Sequence, residues 1–263
     1  MADTPRVYPF ETIYNFRDFG GYATDDGREV VRGRLFRSAN LARLSDAELS
    51  AIAALDIDLV VDMRYAPERE RQPSRFWDTG PAHLFEFTPT ADSVVHKVAP
   101  HEAFMQTELH TAEDSRAHMY EGYRKRPHDP GFRALARRTF EHMRDTGDGL
   151  LIHCAAGKDR TGTLAALILF ALGVDARTIR EDFMLTMEAV DIDAMLPPAA
   201  RMIGERYGRD YDPEALRPMF GVEEGYLDAA LESMGDPLAY LDAQLDVGAD
   251  ARETLRERYL KPA

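Results

Sequence analysis

The sequence predicts an α/β fold in which a mainly parallel central sheet is flanked by helices. Two short apolar runs carry this prediction, because residues 57–64 (IDLVVDMR) and residues 149–153 (GLLIH) have the pattern of buried strands. Helical patterns lie between these runs, and strands that alternate with helices form parallel sheets. The 263 residues are 44% hydrophobic, which is enough for a substantial core. No linker-like stretch divides them, so we expect one domain over residues 1–263.

The first half of the chain contains further short strands and one clearly marked helix start. Residues 27–36 (GREVVRGRLF) include strand-like pieces, and residues 82–87 (AHLFEF) predict another strand. Ser45 begins a helix, because Ser45 and Glu48 have the spacing of a capping box. Residues 92–126 are polar with scattered Met, Phe and Tyr, and they predict weak helices inserted between core elements as a lid.

The second half is predicted to be largely helical. Residues 130–144 have the apolar spacing of an amphipathic helix. The most apolar run, residues 164–174, is too short to cross a bilayer and fits a buried helix. Glycine and proline residues divide the remainder into several helices. We therefore expect a helical C-terminal third and no transmembrane segment.

The charge balance limits the class of partner. The chain has 32 Lys and Arg against 46 Asp and Glu, a net charge of −14, and its pI is about 5.0. A field of this sign repels polyanions, so we expect no nucleic-acid partner, and an anionic substrate needs a local positive pocket. The N-terminus lacks the basic and then apolar pattern of a signal peptide. This predicts a cytoplasmic protein, with secretion by a route that needs no signal peptide as the alternative.

The strongest chemical pattern lies where the strand at residues 149–153 meets the apolar helix. Cys154, the only cysteine, follows His153 directly, and Arg160 comes after five intervening residues. The backbone amides of residues 155–160 can point to a common centre at a helix N-terminus and bind a tetrahedral anion such as phosphate or vanadate. The same partial positive charge favours the thiolate form of the cysteine. A thiolate inside an anion-binding loop is the arrangement that forms and breaks a phosphocysteine.

The neighbouring side chains have predicted roles in this loop. The planar guanidinium group of Arg160 can donate hydrogen bonds to two phosphate oxygens. We expect the Thr161 hydroxyl to hydrogen-bond the cysteine sulfur, His153 to hold the loop, and Lys158 to add a positive charge at the pocket rim. The predicted substrate-binding residues are Ala155, Ala156, Gly157, Lys158, Asp159, Arg160 and Thr161.

Residues 153–162 (HCAAGKDRTG) resemble the signature H-C-x-x-G-x-x-R-[S/T] of the cysteine-dependent protein tyrosine phosphatases. The Lys-Asp pair within them is similar to a bacterial branch of secreted mycobacterial and lipid-phosphatase-like enzymes. Four further stretches resemble the same branch: residues 15–22 (NFRDFGGY), 33–45 (GRLFRSANLARLS), 59–69 (LVVDMRYAPER) and 222–231 (VEEGYLDAAL). The resemblance therefore covers nearly the whole chain.

This resemblance implies a tyrosine-phosphatase-like fold and the hydrolysis of phosphotyrosine, with phosphoserine, phosphothreonine and phosphoinositides as further candidate substrates. Cys154 attacks phosphorus, Arg160 and the loop amides stabilise the equatorial oxygens, and water hydrolyses the phosphocysteine. No metal or cofactor is needed. The histidines of the insertion fit solvated helices better than a metal site, because no carboxylate pattern completes a ligand set; they are His96, His101, His110 and His118.

Other interpretations of the same residues are weaker. A lone cysteine is often a small buried hydrophobe, but the spacing to Arg160 and the glycine between them argue against that here. A nucleotide P-loop needs Ser or Thr after Lys158 and an earlier glycine, which the sequence does not supply. A rhodanese-type sulfurtransferase has a shorter loop. A non-catalytic phosphate-binding pseudophosphatase is the remaining alternative, and the presence of both Cys154 and Arg160 argues against it.

Two assignments outside the signature have competing interpretations. Asp62, Arg64 and Glu68 follow a predicted strand at the sheet edge where α/β folds bind ligands, or they form a structural salt-bridge network. Arg17, Asp18, Arg37 and Ser38 are predicted to support and orient the loop rather than to act in catalysis. The general acid is either Asp159, inside the loop, or Asp92, upstream of it. Asp159 is the preferred candidate, and its alternative role is to stabilise the loop by pairing with a neighbouring arginine.

Overall fold

The structure is a computed structural model, and it describes residues 6–90 and 99–261. Its strands are β1 (Arg17–Asp18), β2 (Glu29–Val30), β3 (Leu35–Ser38), β4 (Ile57–Asp62), β5 (His83–Glu86), β6 (Gly149–His153) and β7 (Leu260–Lys261). Five of them form the central sheet in the order β1-β3-β6-β4-β5, and β2 pairs with β7 in a separate small sheet.

Helices account for most of the remaining chain. They are α1 (Asp46–Ala53), α2 (Ala66–Arg71), α3 (Pro100–Thr107), α4 (Ala112–Lys125), α5 (Pro130–Thr146), α6 (Asp159–Leu172), α7 (Ala176–Met184), α8 (Thr186–Ala189), α9 (Ile192–Tyr207), α10 (Pro213–Phe220), α11 (Glu224–Met234), α12 (Pro237–Leu245) and α13 (Ala249–Tyr259). The α1 capping box forms as predicted, because the Ser45 side chain accepts from the Glu48 N–H and the Glu48 carboxylate accepts from the Ser45 N–H.

The central sheet is mainly parallel, as the sequence predicts. Strand β6 lies in its middle and runs parallel to both β3 and β4, β4 runs parallel to β5, and only the β1–β3 pair is antiparallel among the described strands of this sheet. All five residues of β6 are buried, because both faces of a central parallel strand are covered. The pairing places Ser38 of β3 and Asp62 of β4 on either side of His153. The ends of three strands therefore meet beside the cysteine loop.

Side chains alternate between two layers across this sheet. Leu150 and Ile152 face the larger apolar cluster with α6, whereas Leu151 faces the smaller cluster that includes Ile52 of α1. Helix α6 contains the apolar run of the sequence, and its residues from Leu164 to Leu169 are all buried. Within residues 6–90 and 99–261, we find no helix that is both long enough and apolar enough to span a membrane.

The predicted insertion at residues 92–126 lies partly outside the described residues, and its described part forms α3 and α4. Helix α4 packs against α10 and α11. It does so through Ser115, Met119 and Tyr123, which recur every four residues on one helix face and are buried. Helix α4 is thus packed more closely than the polar composition of the segment indicates.

Candidate active site

The loop between β6 and α6 is held against the end of β3 by a glycine. Cys154 follows β6 directly and is buried, and α6 begins at Asp159. Gly157 has a φ of 67°, and a Cβ placed on it would lie 2.3 Å from the carbonyl oxygen of Ser38. Glycine alone combines this left-handed backbone with such close contact. The glycine of the signature therefore has a steric role in shaping the loop.

The carbonyl oxygens of the loop are bound from outside. The Ala155 carbonyl accepts hydrogen bonds from the backbone N–H and the side-chain Nδ2 of Asn40, both at 3.1 Å. The Gly157 carbonyl accepts from Asn15 Nδ2 at 2.9 Å and from Arg37 Nη2 at 3.0 Å. In a trans peptide the N–H points away from the C=O. The N–H groups that follow these two carbonyls are therefore turned to the inner side of the loop, where they can face an anion.

Arg160 is the second residue of α6 and is held by a carboxylate from α2. Its Nη1 donates to Glu68 Oε2 at 2.8 Å and to the Met63 carbonyl at 2.9 Å, and its Nη2 donates to Glu68 Oε1 at 3.0 Å. Burial alone raises the pKa of Glu68, but the charge and hydrogen bonds of Arg160 outweigh it and lower that pKa to about 2. The structure thus brings Glu68, one of the predicted sheet-edge residues, to the arginine of the signature.

Lys158 and Asp159 pair with each other. Lys158 Nζ donates to Asp159 Oδ1 at 2.7 Å, and the Tyr123 hydroxyl donates to the same oxygen at 2.8 Å. Burial raises the pKa of Asp159, but Lys158, the charge of Arg126 and these hydrogen bonds together lower it below its ordinary value. Lys158 is buried against Asp159 instead of lying free at the rim. Asp159 is consequently ionised near neutral pH.

Asp62 and Arg64 form a buried ion pair beside the loop. The Arg64 Nε lies 2.9 Å from Asp62 Oδ1 and its Nη2 lies 2.7 Å from Asp62 Oδ2. Arg64 also donates to the Gln72 carbonyl and the Ser74 hydroxyl, so it ties the segment after α2 to the end of β4. These contacts support the structural salt-bridge interpretation of the pair.

His153 and Thr161 are both fully buried. His153 Nε2 lies 3.6 Å from Asp62 Oδ2, and burial lowers the pKa of the imidazole despite this carboxylate, which favours the neutral ring. The Thr161 hydroxyl has no hydrogen-bond partner among the residues that the structure describes. Its bond to the Cys154 sulfur therefore stays a prediction. Asp92, the alternative acid, lies outside the described residues.

Several residues around the site were not identified from the sequence. Asn15 and Asn40 bind loop carbonyls, Tyr123 reaches Asp159 from α4, and His101 of α3 lies 4.0 Å from Glu68 Oε1. Burial lowers the pKa of His101 to about 4, although Glu68 acts in the opposite direction. Asn15 has a left-handed backbone with a φ of 60°. The presence of an asparagine in a loop does not by itself predict its hydrogen bond to the carbonyl of a distant residue. All four contacts depend on long-range packing.

The sequence as a whole matches a known family. Residues 8–261 match the tyrosine phosphatase family, and the chain belongs to that family. A protein of Cupriavidus necator that is named as a tyrosine-protein phosphatase is 32% identical to it, and the match covers 86% of this chain and 77% of that protein. The triple specificity protein phosphatase PtpB of Mycobacterium tuberculosis is 30% identical, over 93% of this chain and 95% of that protein. The chain is therefore a phosphatase, as the resemblance to the protein tyrosine phosphatases predicted.

Proposed function

We propose that the chain hydrolyses phosphomonoesters, phosphotyrosine foremost, through a phosphocysteine intermediate on Cys154. The observation that carries this proposal is the position of Cys154 at the base of a loop whose carbonyls are bound from outside. The inward amides and the start of α6 supply the positive potential that stabilises both a thiolate and a phosphoryl group. A nucleophile and an anion site at the same place are what covalent phosphoryl transfer requires.

Arg160 is suited to hold the phosphoryl group while it stays bound to Glu68. A guanidinium has five N–H donors. Glu68 and the Met63 carbonyl take three of them among the described residues, two on Nη1 and one on Nη2. The remaining Nε–H and Nη2–H lie parallel on one edge of the group. These two N–H groups can donate parallel hydrogen bonds to two equatorial phosphate oxygens, and the ion pair with Glu68 fixes the orientation of the guanidinium group.

The proposed reaction has two steps. The Cys154 sulfur forms a bond to phosphorus as the bond from phosphorus to the ester oxygen breaks, and protonated Asp159 gives its proton to the departing oxygen. Water then attacks the phosphocysteine, the Asp159 carboxylate takes a proton from that water, and the thiolate leaves phosphorus. Asp159 is suited to this role because Lys158 and Tyr123 both bind Oδ1, and no described residue hydrogen-bonds Oδ2, which can therefore face the substrate.

The proposed substrate range extends beyond phosphotyrosine. The Mycobacterium tuberculosis relative is named for triple specificity. We extend the proposal accordingly to phosphoserine, phosphothreonine and phosphoinositides. Arg126 supports substrates with more than one phosphate, because it is only half-buried and its charge acts on Asp159, whereas the buried Lys158 is already paired with Asp159.

We further propose that the described part of the segment at residues 92–126, which forms α3 and α4, covers the site as part of a single phosphatase domain. Two of its side chains support this proposal. Tyr123 of α4 donates to Asp159, and His101 of α3 lies beside Glu68. A cover built from α3 and α4 would keep water from the reacting phosphoryl group.

The test is turnover of an aryl phosphate in the presence of a metal chelator, with orthovanadate as inhibitor. We expect vanadate-sensitive turnover in the wild type and none in Cys154→Ser, because a serine hydroxyl is essentially un-ionised at neutral pH. Rapid acid quench with a ³²P-labelled substrate should place label on the wild-type protein and not on Cys154→Ser, which should still bind vanadate. Turnover that survives in Cys154→Ser contradicts the covalent mechanism.

A further inference from the structure

A second cluster of buried charges lies beside the loop and is connected to its Gly157 carbonyl. It consists of Arg17 of β1, Arg37 of β3 and Asp182 of α7, which are 0%, 0% and 2% exposed. Asp182 Oδ2 accepts from Arg37 Nη1 at 2.8 Å, and Asp182 Oδ1 lies 3.6 Å from Arg17 Nε. The Asp182 backbone carbonyl accepts from Arg17 Nη2 at 2.9 Å. One residue of α7 thus binds both arginines.

Each arginine is connected to the Gly157 carbonyl. Arg37 reaches it directly through Nη2, and the same nitrogen lies 3.5 Å from the Lys158 carbonyl. Arg17 acts through Asn15, because its Nη1 donates to Asn15 Oδ1 while Asn15 Nδ2 donates to the Gly157 carbonyl. The Gly157 carbonyl therefore accepts from two donors, Arg37 and Asn15. Asp182 binds Arg37 directly, and it binds Arg17, which in turn holds Asn15.

We propose that Asp182 is a positioning residue for the anion-binding loop, acting through Arg37 and through Arg17 and Asn15 on the Gly157 carbonyl. This proposal rests on the proposed function, since it assigns the loop amides to the phosphoryl group. Asp182 contacts neither substrate nor Cys154 in this arrangement. Its role is to keep the Gly157–Lys158 peptide in the orientation that directs its N–H inward.

The charges of the cluster explain why a carboxylate is required at this position. Arg17 and Arg37 are two buried cations, and Asp182 is the carboxylate that pairs with both. Burial, together with the charge of Arg37, lowers the pKa of Arg17 to about 9 even though Asp182 acts in the opposite direction. Without the carboxylate, two buried guanidinium groups would repel each other with no counter-charge between them. Their donors would then no longer be held at the loop carbonyl.

The principal test compares Asp182→Asn with Asp18→Asn. Asp18 is also buried, but it binds the N–H groups of Gly20 and Gly33 and has no contact with the loop among the described residues. We expect Asp182→Asn to lower kcat/KM for an aryl phosphate by at least about tenfold and up to about 100-fold. The inhibition constants of inorganic phosphate and vanadate should rise by a similar factor. Asp18→Asn should change stability without changing anion affinity.

Two milder variants test the same connection if Asp182→Asn folds poorly. Asn15→Gly keeps a residue that adopts a φ of 60°, and it removes both the donor to the Gly157 carbonyl and the acceptor of Arg17 Nη1. Arg37→Lys keeps the positive charge and removes the fork that joins Asp182 to that carbonyl. Both should weaken phosphate and vanadate binding severalfold, and Asp182→Glu should restore part of the affinity lost in Asp182→Asn.

The outcomes separate the two proposals. If the wild type is active and Asp182→Asn, Asn15→Gly and Arg37→Lys all keep its affinity for phosphate and vanadate, Asp182 is structural only and the positioning role is overturned. If Asp182→Asn loses only thermal stability, to the same degree as Asp18→Asn, the same conclusion follows. Vanadate-insensitive turnover by the wild type, or turnover by Cys154→Ser, instead overturns the proposed function.

Discussion

Arg160 and Glu68 form a two-pronged ion pair between residues that are 92 positions apart in the sequence. The two N···O distances are 2.8 and 3.0 Å, and both side chains are largely buried. Glu68 is itself fixed at the start of α2, where its Oε2 accepts from the Tyr65 N–H at 2.8 Å. The orientation of the signature arginine is thus set by a helix that follows a different strand from the one that carries the cysteine.

The first prediction is that Glu68→Gln lowers kcat/KM for an aryl phosphate by about 10- to 100-fold, because a neutral amide holds the Arg160 fork with one acceptor instead of two. Glu102→Gln is the matched control. Glu102 is equally buried and pairs with Arg71 and Arg206, and neither of these is the signature arginine. Steady-state kinetics of the two variants decide the point. Equal losses in both would show that Glu68 only stabilises the fold.

The same carboxylate predicts how stability changes with pH. The pKa of Glu68 falls from its ordinary 4.5 to about 2 on folding. Its contribution to the free energy of unfolding is therefore fully present above about pH 4.5 and is lost as the pH falls toward 2. Urea denaturation of wild type and Glu68→Gln between pH 2 and 6 should give a stability difference that shrinks on acidification. A difference that is constant across this range would contradict the prediction.

The sequence predicted the parts of the fold that local patterns encode. The β6 strand has the bounds of the apolar run at residues 149–153, and α1 begins after the Ser45 capping box. Both signals arise from neighbouring residues, through side-chain alternation in a strand and through hydrogen bonds within one helical turn. The order of the strands in the central sheet, β1-β3-β6-β4-β5, needed the three-dimensional pairing.

The contacts that complete the site could not be predicted in the same way. Glu68 was one of three charged residues at a sheet edge, and nothing local distinguishes it from Asp62 as the carboxylate partner of Arg160. Tyr123 lies in the polar segment that predicted only weak helices, and Asp182 lies on an ordinary amphipathic helix. Tyr123 reaches Asp159, and Asp182 reaches Arg17 and Arg37, because of how helices pack on the sheet, and that packing is not a property of a short stretch of sequence.

Gly157 should be far more sensitive to a methyl group than another glycine with the same backbone. Gly157→Ala places a Cβ 2.3 Å from Ser38, and the loop must move to relieve the clash. Gly33 has a φ of 77°, and a Cβ on it would meet no atom of the described residues within 4 Å, so Gly33→Ala adds the backbone strain alone. That strain is about 1–2 kcal/mol. We expect Gly33→Ala to lose stability of this order with normal kinetics, whereas Gly157→Ala loses activity by about 100-fold.

Thermal denaturation and kcat/KM for an aryl phosphate, measured on both glycine variants, separate strain from loop shape. Normal activity in Gly157→Ala would show that the loop tolerates displacement from β3. It would also remove the steric explanation for the glycine of the signature.

Tyr123 should control the pH range over which Asp159 can donate a proton. Its hydroxyl stabilises the ionised carboxylate, so Tyr123→Phe should raise the pKa of Asp159. A general acid works in its protonated form, and the alkaline limb of kcat for a poor leaving group should therefore move to higher pH. Tyr240→Phe removes another buried tyrosine hydroxyl, one bound to the Pro127 carbonyl, and serves as control. If the alkaline limb of the kcat profile is unchanged in Tyr123→Phe, this tyrosine has no part in proton transfer.

The identity of the general acid can be decided by the leaving group of the substrate. The charges of Lys158 and Arg126 and the hydrogen bonds to Asp159 lower its pKa, so this carboxyl group must gain a proton to act as an acid. A bound phosphate dianion favours that step because it raises the pKa of a nearby carboxyl group. We therefore expect the highest activity at mildly acidic pH. If Asp159 donates the proton, Asp159→Asn should slow esters of poorly acidic alcohols by about 10²–10⁴-fold. Esters whose leaving group departs unaided should be affected much less.

A parallel measurement on Asp92→Asn tests the upstream candidate with the same two substrates. Vanadate affinity of both variants reports whether the loop has kept its shape, since the amides and Arg160 bind the anion independently of proton transfer. Equal losses on good and poor leaving groups in Asp159→Asn, with weakened vanadate binding, would make Asp159 a residue that only shapes the loop through Lys158 and Tyr123. A leaving-group effect confined to Asp92→Asn would transfer the acid role upstream. We expect the effect in Asp159→Asn, because this carboxylate lies in the first turn of α6, at the end of the loop that begins with Cys154, the proposed nucleophile.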